Sequence, residues 1–167
     1  DVMRDRPIDL DLRRLQQKIL HQKRGGYCFE LNTLFAALLR QIGFAVETGG
    51  ARVIFRQSRP GIRPRTHKVL FVEVAGSHWL VDVSFGAAGL REPIPIDATA
   101  ADLGRQPTCR RVATERGEVV QSDLLDEWVD LYVFTRERME PIDYEVANFY
   151  TSKNPYSPFR HHLMVHR

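Results

Sequence analysis

The sequence predicts an α+β fold, because two stretches with helical apolar spacing come first, stretches of period two follow, and the two kinds never alternate. The first helix is expected from Asp9 to about Gln22. There Leu12, Leu15 and Ile19 recur at spacings of three and four, with Asp9 or Asp11 as N-cap and Gly25 as terminator. A second helix is expected from Cys28 to Ile42, presenting Leu31, Leu34, Phe35, Leu38 and Ile42 to the first and ending at Gly43 in a left-handed cap. Phe44 to Phe55 then reads as extended chain broken at Gly49-Gly50, and Gln57 to Arg65, with Pro60, Gly61 and Pro64, reads as a loop. His67 to Val74 and Trp79 to Ser84 are two strands around Ala75-Gly76-Ser77-His78. Thr108 to Thr114 and Glu118 to Gln121 form a second hairpin about Arg116-Gly117, and Trp128 to Thr135 adds another strand. The composition shifts near Gly43 to Gly50, which marks the boundary between the helical and the stranded parts.

With 167 residues, 43% of them hydrophobic, the chain can bury one compact core or two small subdomains that share a site. The net charge of +3 gathers in Arg52, Arg56, Arg59, Arg63 and Arg65, a stretch that reads either as a solvated loop or as an attractor for a phosphorylated small molecule. No nucleic-acid motif and no apolar run of membrane-spanning length is present, so neither nucleic acid nor membrane is an expected partner. Two cysteines, Cys28 and Cys109, are too few for a disulfide framework, and a reactive thiol points to the reducing cytoplasm. Cys109 reads as a core or edge thiol. His161, His162 and His166 lack a carboxylate or cysteine at ligand spacing, so they read as surface histidines and no metal is expected. Gly86-Ala87-Ala88-Gly89 lacks the Lys-Ser/Thr ending of a phosphate-binding P-loop.

The chemistry centres on Cys28, which follows Gly25-Gly26 at the first turn of the second helix. Unpaired backbone N–H groups and the helix dipole favour an anion at such a terminus, and a neighbouring imidazolium favours it further, so a thiolate forms there more readily than at a free cysteine. The matching base and orienting carboxylate are His67 and Asp82, which parity places on one face of the expected hairpin. A two-residue turn at Gly76-Ser77 would oppose Phe71 to Asp82, whereas a four-residue loop centred on Val74-Ala75 would oppose His67 directly. In that second register the carboxylate holds Nδ1–H and leaves Nε2 for the thiol. Such a thiolate attacks an acyl carbonyl, the histidine moves the proton, and the Cys28 backbone N–H is the candidate oxyanion donor. The competing reading makes Cys28 an inert core thiol, as buried free cysteines often are. Arg24 and Glu30 flank the nucleophile, either as an ion pair that fixes the turn or as solvated charges.

RGGYCFELN from Arg24 to Asn32, Thr66-His67 opening a strand, VDVSFG from Val81 to Gly86, and NFYTSKNPYSPF from Asn148 to Phe159 together resemble the arylamine N-acetyltransferases. The resemblance runs through nearly the whole chain. It implies a papain-like cysteine-enzyme core: a helical subdomain over 1–45 carrying Cys28, and a β-barrel subdomain over 46–167 carrying His67 and Asp82. It also implies an N-terminal helical segment and a third, α/β lid domain that this chain lacks. The implied reaction is ping-pong. Acetyl-CoA acetylates Cys28, CoA leaves, and a small arylamine or arylhydrazine takes the acetyl group, in a monomer or homodimer. By matching motif positions, Phe85 and Phe159 line the acceptor pocket, while Thr66, Gly86, Tyr150 and Tyr156 lie along the CoA path. Ser84 stands where the family usually has Gly. Two other functions fit the same residues: a cysteine hydrolase or transglutaminase-like enzyme, and a non-catalytic truncated relative that binds a partner.

Overall fold

The computed structural model describes residues 1–57, 61–97 and 108–166. Arg59 and Pro60 of the expected loop lie outside the described residues.

The first helix begins at Leu12, with the Asp11 carboxylate accepting the Arg14 N–H at 3.1 Å as N-cap. It is α-helical only over α1 (Leu12–Leu15) and then widens into a π-helical turn, Gln16–His21. It stops before Gly25, since Lys23 takes up the left-handed conformation at φ 52°. Of the apolar positions only Leu15 is fully buried, and Leu12 is exposed. α2 (Cys28–Gln41) has the expected start and ends at Ile42, with Gly43 at φ 101° supplying the left-handed cap. Its buried stripe differs from the expected one. Cys28, Phe29, Asn32 and Ala36 face inward, and Phe35 and Leu39 pack with Ala36 on Leu70 and Val72, while Leu38 and Ile42 are exposed. The helix lies against β-sheet residues Leu70 and Val72 more than against the first helix, and packing on a sheet selects a different set of i, i+3, i+4 positions.

The strands are β1 (Ala45–Val53), β2 (His67–Val74), β3 (Ser77–Val81), β4 (Ile94–Pro95), β5 (Cys109–Thr114), β6 (Gly117–Asp123) and β7 (Trp128–Arg138). They form one antiparallel sheet in the order β4-β3-β2-β1-β7-β6-β5. The sheet curls until its edges meet, and Arg111 of β5 bridges the seam by donating to the carbonyls of Pro95 (2.9 Å) and Ile96 (2.6 Å) beside β4. β4 and β5 form no ladder with each other among the described residues, so the barrel is nearly closed and these side-chain bonds cover part of the edge that an open sheet would leave for aggregation. Its interior is filled by Ala51, Val69, Phe71, Leu80, Val120, Leu131 and Phe134, among others. Gly49 is required where β1 crosses β2, since a Cβ there would sit 2.5 Å from the Phe71 ring. The β1–β7 ladder shifts register between Gly49 and Ala51, the break that the Gly-Gly pair suggests.

The first hairpin turns at Ala75-Gly76, both at positive φ (51° and 79°), as a two-residue primed turn demands. Neither register expected from the sequence is the one formed: Leu70 pairs with Val81 and Val74 with Ser77. The second hairpin turns at Glu115-Arg116, with Thr114 opposite Gly117. After β7 the chain returns to the helical side. α3 (Pro141–Lys153), which the apolar pattern does not announce, packs Tyr144 and Ala147 with Cys28 and Phe29, and α4 (Pro158–His161) follows. None of the described helices is long and apolar enough to cross a membrane.

Candidate active site

Cys28 is the first residue of α2 and is buried. Gly26 makes room for the turn, since a Cβ there would lie 3.0 Å from the Glu30 side chain. Glu30 folds back and accepts the Tyr27 N–H at 3.1 Å. Its charge is met by Lys18, whose ammonium also reaches Asp1 at 2.7 Å, whereas Arg24 pairs with Asp1. The expected Arg24–Glu30 pair is therefore replaced. A residue six positions back on an irregular turn cannot reach a carboxylate directed into the core, and Lys18 from the π-helical turn can. The Cys28 thiol donates to the Thr66 carbonyl at 3.6 Å, which sets it beside the start of β2.

His67 opens β2 and Asp82 is the residue after β3 ends. In the ladder that forms, extrapolation places Asp82 two residues off direct opposition to His67, a diagonal neighbour on the same face. The imidazole spans that offset with its farther nitrogen: Nε2 donates to Asp82 Oδ2 at 2.6 Å. This corrects the expected assignment, since Nδ1 is the nitrogen left for the thiol side. Both residues are almost completely buried. Burial pushes the His67 basicity down, but the charge and hydrogen bond of Asp82, joined by the hydrogen bond and charge of Cys28, reverse this and raise it above the ordinary imidazole range. For Asp82, burial acts to raise the carboxyl, and His67, Asn32 and the Ser84 N–H more than offset it and hold it below the carboxylate range.

Asn32, one helical turn after Cys28 and fully buried, ties the two halves together. Its Nδ2 lies 2.6 Å from the Lys68 carbonyl, 2.9 Å from Asp82 Oδ1 and 2.8 Å from Ser84 Oγ, and its Oδ1 accepts the Val83 N–H at 3.2 Å. Ser84 adds its N–H and hydroxyl to the same Asp82 oxygen, each at 3.0 Å. The Ser84 side chain is thus absorbed into the carboxylate's hydrogen bonding and does not obstruct the turn. Asn32 is the candidate site residue that periodicity misses. The signal available was an amide at i+4 from the thiol, on the same helix face.

The aromatic candidates sit on two sides. Phe85 meets His67 edge-on at 5.3 Å between centroids and contacts Phe55 and Tyr132, and the Tyr132 ring also lies 5.1 Å from His67. Phe159 packs edge-on against Tyr27 at 5.4 Å, one residue from the thiol. Gly86 stands at φ 99° with the His166 ring against it. Tyr150 and Tyr156 are exposed on and after α3. Cys109 is buried in the barrel core, where burial raises its thiol. Among the described residues no group of three or more His, Cys, Asp or Glu gathers to hold a metal ion.

A thiol at a helix start beside an imidazole whose far nitrogen is held by a buried carboxylate has the parts that thiol acyl-transfer chemistry requires, and they are set on a papain-like fold. The sequence profile of the N-acetyltransferase family matches residues 1–167. The arylamine N-acetyltransferase / N-hydroxyarylamine O-acetyltransferase of Salmonella typhimurium is 38% identical over 168 residues, covering 100% of this chain and 59% of that protein. The arylamine N-acetyltransferase of Escherichia coli is 34% identical with the same coverage. The solved structure of the Salmonella enzyme superimposes with a TM-score of 0.88 at 35% identity, over 97% of this chain and 59% of that one. That of the Mycobacterium marinum enzyme in complex with CoA gives 0.87 at 30%, over 96% and 60%. The chain belongs to the arylamine N-acetyltransferase family and spans about 59% of the length of these relatives.

Proposed function

We propose that this chain transfers the acetyl group of acetyl-CoA to the amine of an arylamine or arylhydrazine through an acetyl-Cys28 intermediate. The observation that supports it most is the 2.6 Å bond between His67 Nε2 and Asp82 beside a helix-start thiol, in a chain whose relatives bear that activity in their names. Solved CoA in a relative supports the choice of donor. The Cys28 sulfur attacks the thioester carbonyl carbon; a C–S bond forms, and the oxyanion is received by N–H groups at the start of α2. The bond to the CoA sulfur then breaks and His67 gives that sulfur its proton. In the second half the amine nitrogen attacks the acetyl carbon, His67 accepts the amine proton, and the Cys28 thiolate leaves. Asp82 keeps the imidazole oriented and stabilises its charged form throughout. Phe85 beside His67 and Phe159 beside Tyr27 form the apolar walls for a planar acceptor, with Thr66, Gly86, Tyr150 and Tyr156 toward the CoA. Initial rates measured against both substrates test the scheme. It predicts parallel double-reciprocal lines with an acetylated arylamine as product; lines that intersect would place both substrates on the protein together and contradict it.

A further inference from the structure

His67 and Lys68 are consecutive on β2, so their side chains leave opposite faces of the sheet. His67 meets Asp82. Lys68 runs the other way, between α2 and α3, and is only 6% exposed. Its ammonium donates to Thr33 Oγ1 at 2.8 Å and lies 4.0 Å from the centre of the Tyr144 ring. Both partners are neutral, and among the described residues no carboxylate pairs with this ammonium. It opens onto a cavity of about 1010 Å³ shared with Arg40 of α2, Glu47 of β1, Arg138 of β7, and Tyr144 and Glu145 of α3. Asp9, Asp11, Glu140 and Lys153 also line it, and its carboxylates, Asp9, Asp11, Glu47, Glu140 and Glu145, all belong to exposed residues, so their charges are solvated. Tyr144, whose face carries the ammonium, packs in one cluster with Cys28 and Phe29. The Lys68 carbonyl meanwhile accepts from Asn32 at 2.6 Å. Lys68 is therefore fastened at both ends to α2, at Asn32 and Thr33, just after the thiol that begins this helix.

A buried cation held only by neutral groups is costly unless something nearby becomes negative. In the cluster around Tyr144 the group able to do so is the Cys28 thiol. We propose that Lys68 is a positioning residue of this site: its ammonium, fixed by Thr33 and the face of Tyr144, supports the Cys28 thiolate from the sheet face that His67 does not use. Burial, the largest influence, and the Arg40 charge pull Lys68 down to about 8, and the negative charge of Cys28 acts the other way, which is the reciprocal of the same interaction. The inference rests on Cys28 being the nucleophile.

The test is iodoacetamide alkylation of Cys28, followed by peptide mass mapping from pH 5 to 9, in the wild-type chain, Lys68→Met, Lys68→Arg and Thr33→Val. Lys68→Met should alkylate about tenfold more slowly at the acid end and shift the whole profile to higher pH. Lys68→Arg should recover most of the rate, and Thr33→Val, which keeps the charge, should lose far less. A merely structural lysine would not move the profile. Because Lys68→Met can fail to fold, NMR titration of the lysine ε-groups in the wild-type chain supplies a second readout: capping Cys28 as a neutral thioether should lower the Lys68 midpoint. A folded Lys68→Met with the wild-type profile, a Thr33→Val as slow as Lys68→Met, or a Lys68 midpoint unmoved by capping would each overturn the proposal. If wild-type Cys28 alkylates no faster than Cys109, the nucleophile assignment itself fails; fast alkylation indifferent to Lys68 overturns this inference alone.

Discussion

His67 and Lys68 are neighbours on one strand, both buried and both basic, yet the fold treats them in opposite ways. His67 has an ionised carboxylate at 2.6 Å, and that carboxylate is itself served by Asn32 and Ser84. Lys68 has a hydroxyl and a ring. The difference shows in titration: His67 is raised from about 6.5, and Lys68 is lowered from 10.5 to about 8. Opposite signs follow for stability. A raised folded value means that the His67 contribution is whole below about 6.5 and is lost as pH climbs through the folded value. Asp82, lowered from 3.8, contributes above that pH and loses its contribution as pH falls. Lys68 is the reverse of His67. Its burial opposes folding below about 8, and stability from this group rises between 8 and 10.5 as the folded chain releases the proton first. One side of β2 is a matched charge pair that stabilises. The other is a charge without a carboxylate partner, whose burial opposes folding, in keeping with the positioning role proposed for it.

Removing the matched charge should have the largest effect. Asp82→Asn should fold and lose on the order of 10²–10⁴-fold in acetyl transfer, because an amide cannot stabilise imidazolium and can hold the wrong tautomer. Turnover measured beside circular dichroism checks this, and near-normal transfer from a folded variant would mean that the charge comes from elsewhere. Asn32→Ala should come next. It leaves the Lys68 carbonyl and part of Asp82 unserved in a buried site, so unfolding free energy should drop by about 1–3 kcal/mol, with a loss of transfer smaller than that of Asp82→Asn. Urea denaturation and turnover on one preparation separate the two effects.

The unmatched side predicts the opposite sign. Lys68→Met should raise stability at pH 7 by up to about 3 kcal/mol, from a shift of some 2.5 pKa units, and the gain should fade between pH 8 and 10.5. Denaturation curves across that range check it; a variant destabilised at every pH would show that the Thr33 and Tyr144 contacts outweigh the buried charge. The smallest effect belongs to Ser84→Ala, which removes one of several donors to Asp82 and leaves its own N–H in place. Less than about 1 kcal/mol and less than tenfold in turnover are expected.

The same contrast explains what could be read from the sequence. α2 was legible because its start, its apolar content and Gly43 agree, and Cys28 was legible because it opens that helix. Parity put His67 and Asp82 on one face but could not choose the register, which Gly76 and Ala75 decide by accepting positive φ. With the register went the choice of imidazole nitrogen. α3 was hidden because its polarity is inverted: Asn148, Thr151 and Ser152 face inward, while Ile142, Val146 and Phe149 are exposed, the last at 68%. Asn32 was hidden for a related reason, since a polar residue on an apolar stripe breaks the period that marks the helix. Buried polar groups are placed by tertiary partners that hydrophobic periodicity does not encode.

Whether Cys28 carries the acyl group is decided most directly by rapid mixing of the wild-type chain with acetyl-CoA and no acceptor, acid quench, and peptide mass mapping. One added acetyl group on the peptide that contains Cys28, absent from Cys28→Ala and discharged when an arylamine is added before the quench, is the predicted result. An acetyl group found on Cys109 or on a lysine, or none at all in a sample whose Cys28 still reacts with iodoacetamide, would contradict it.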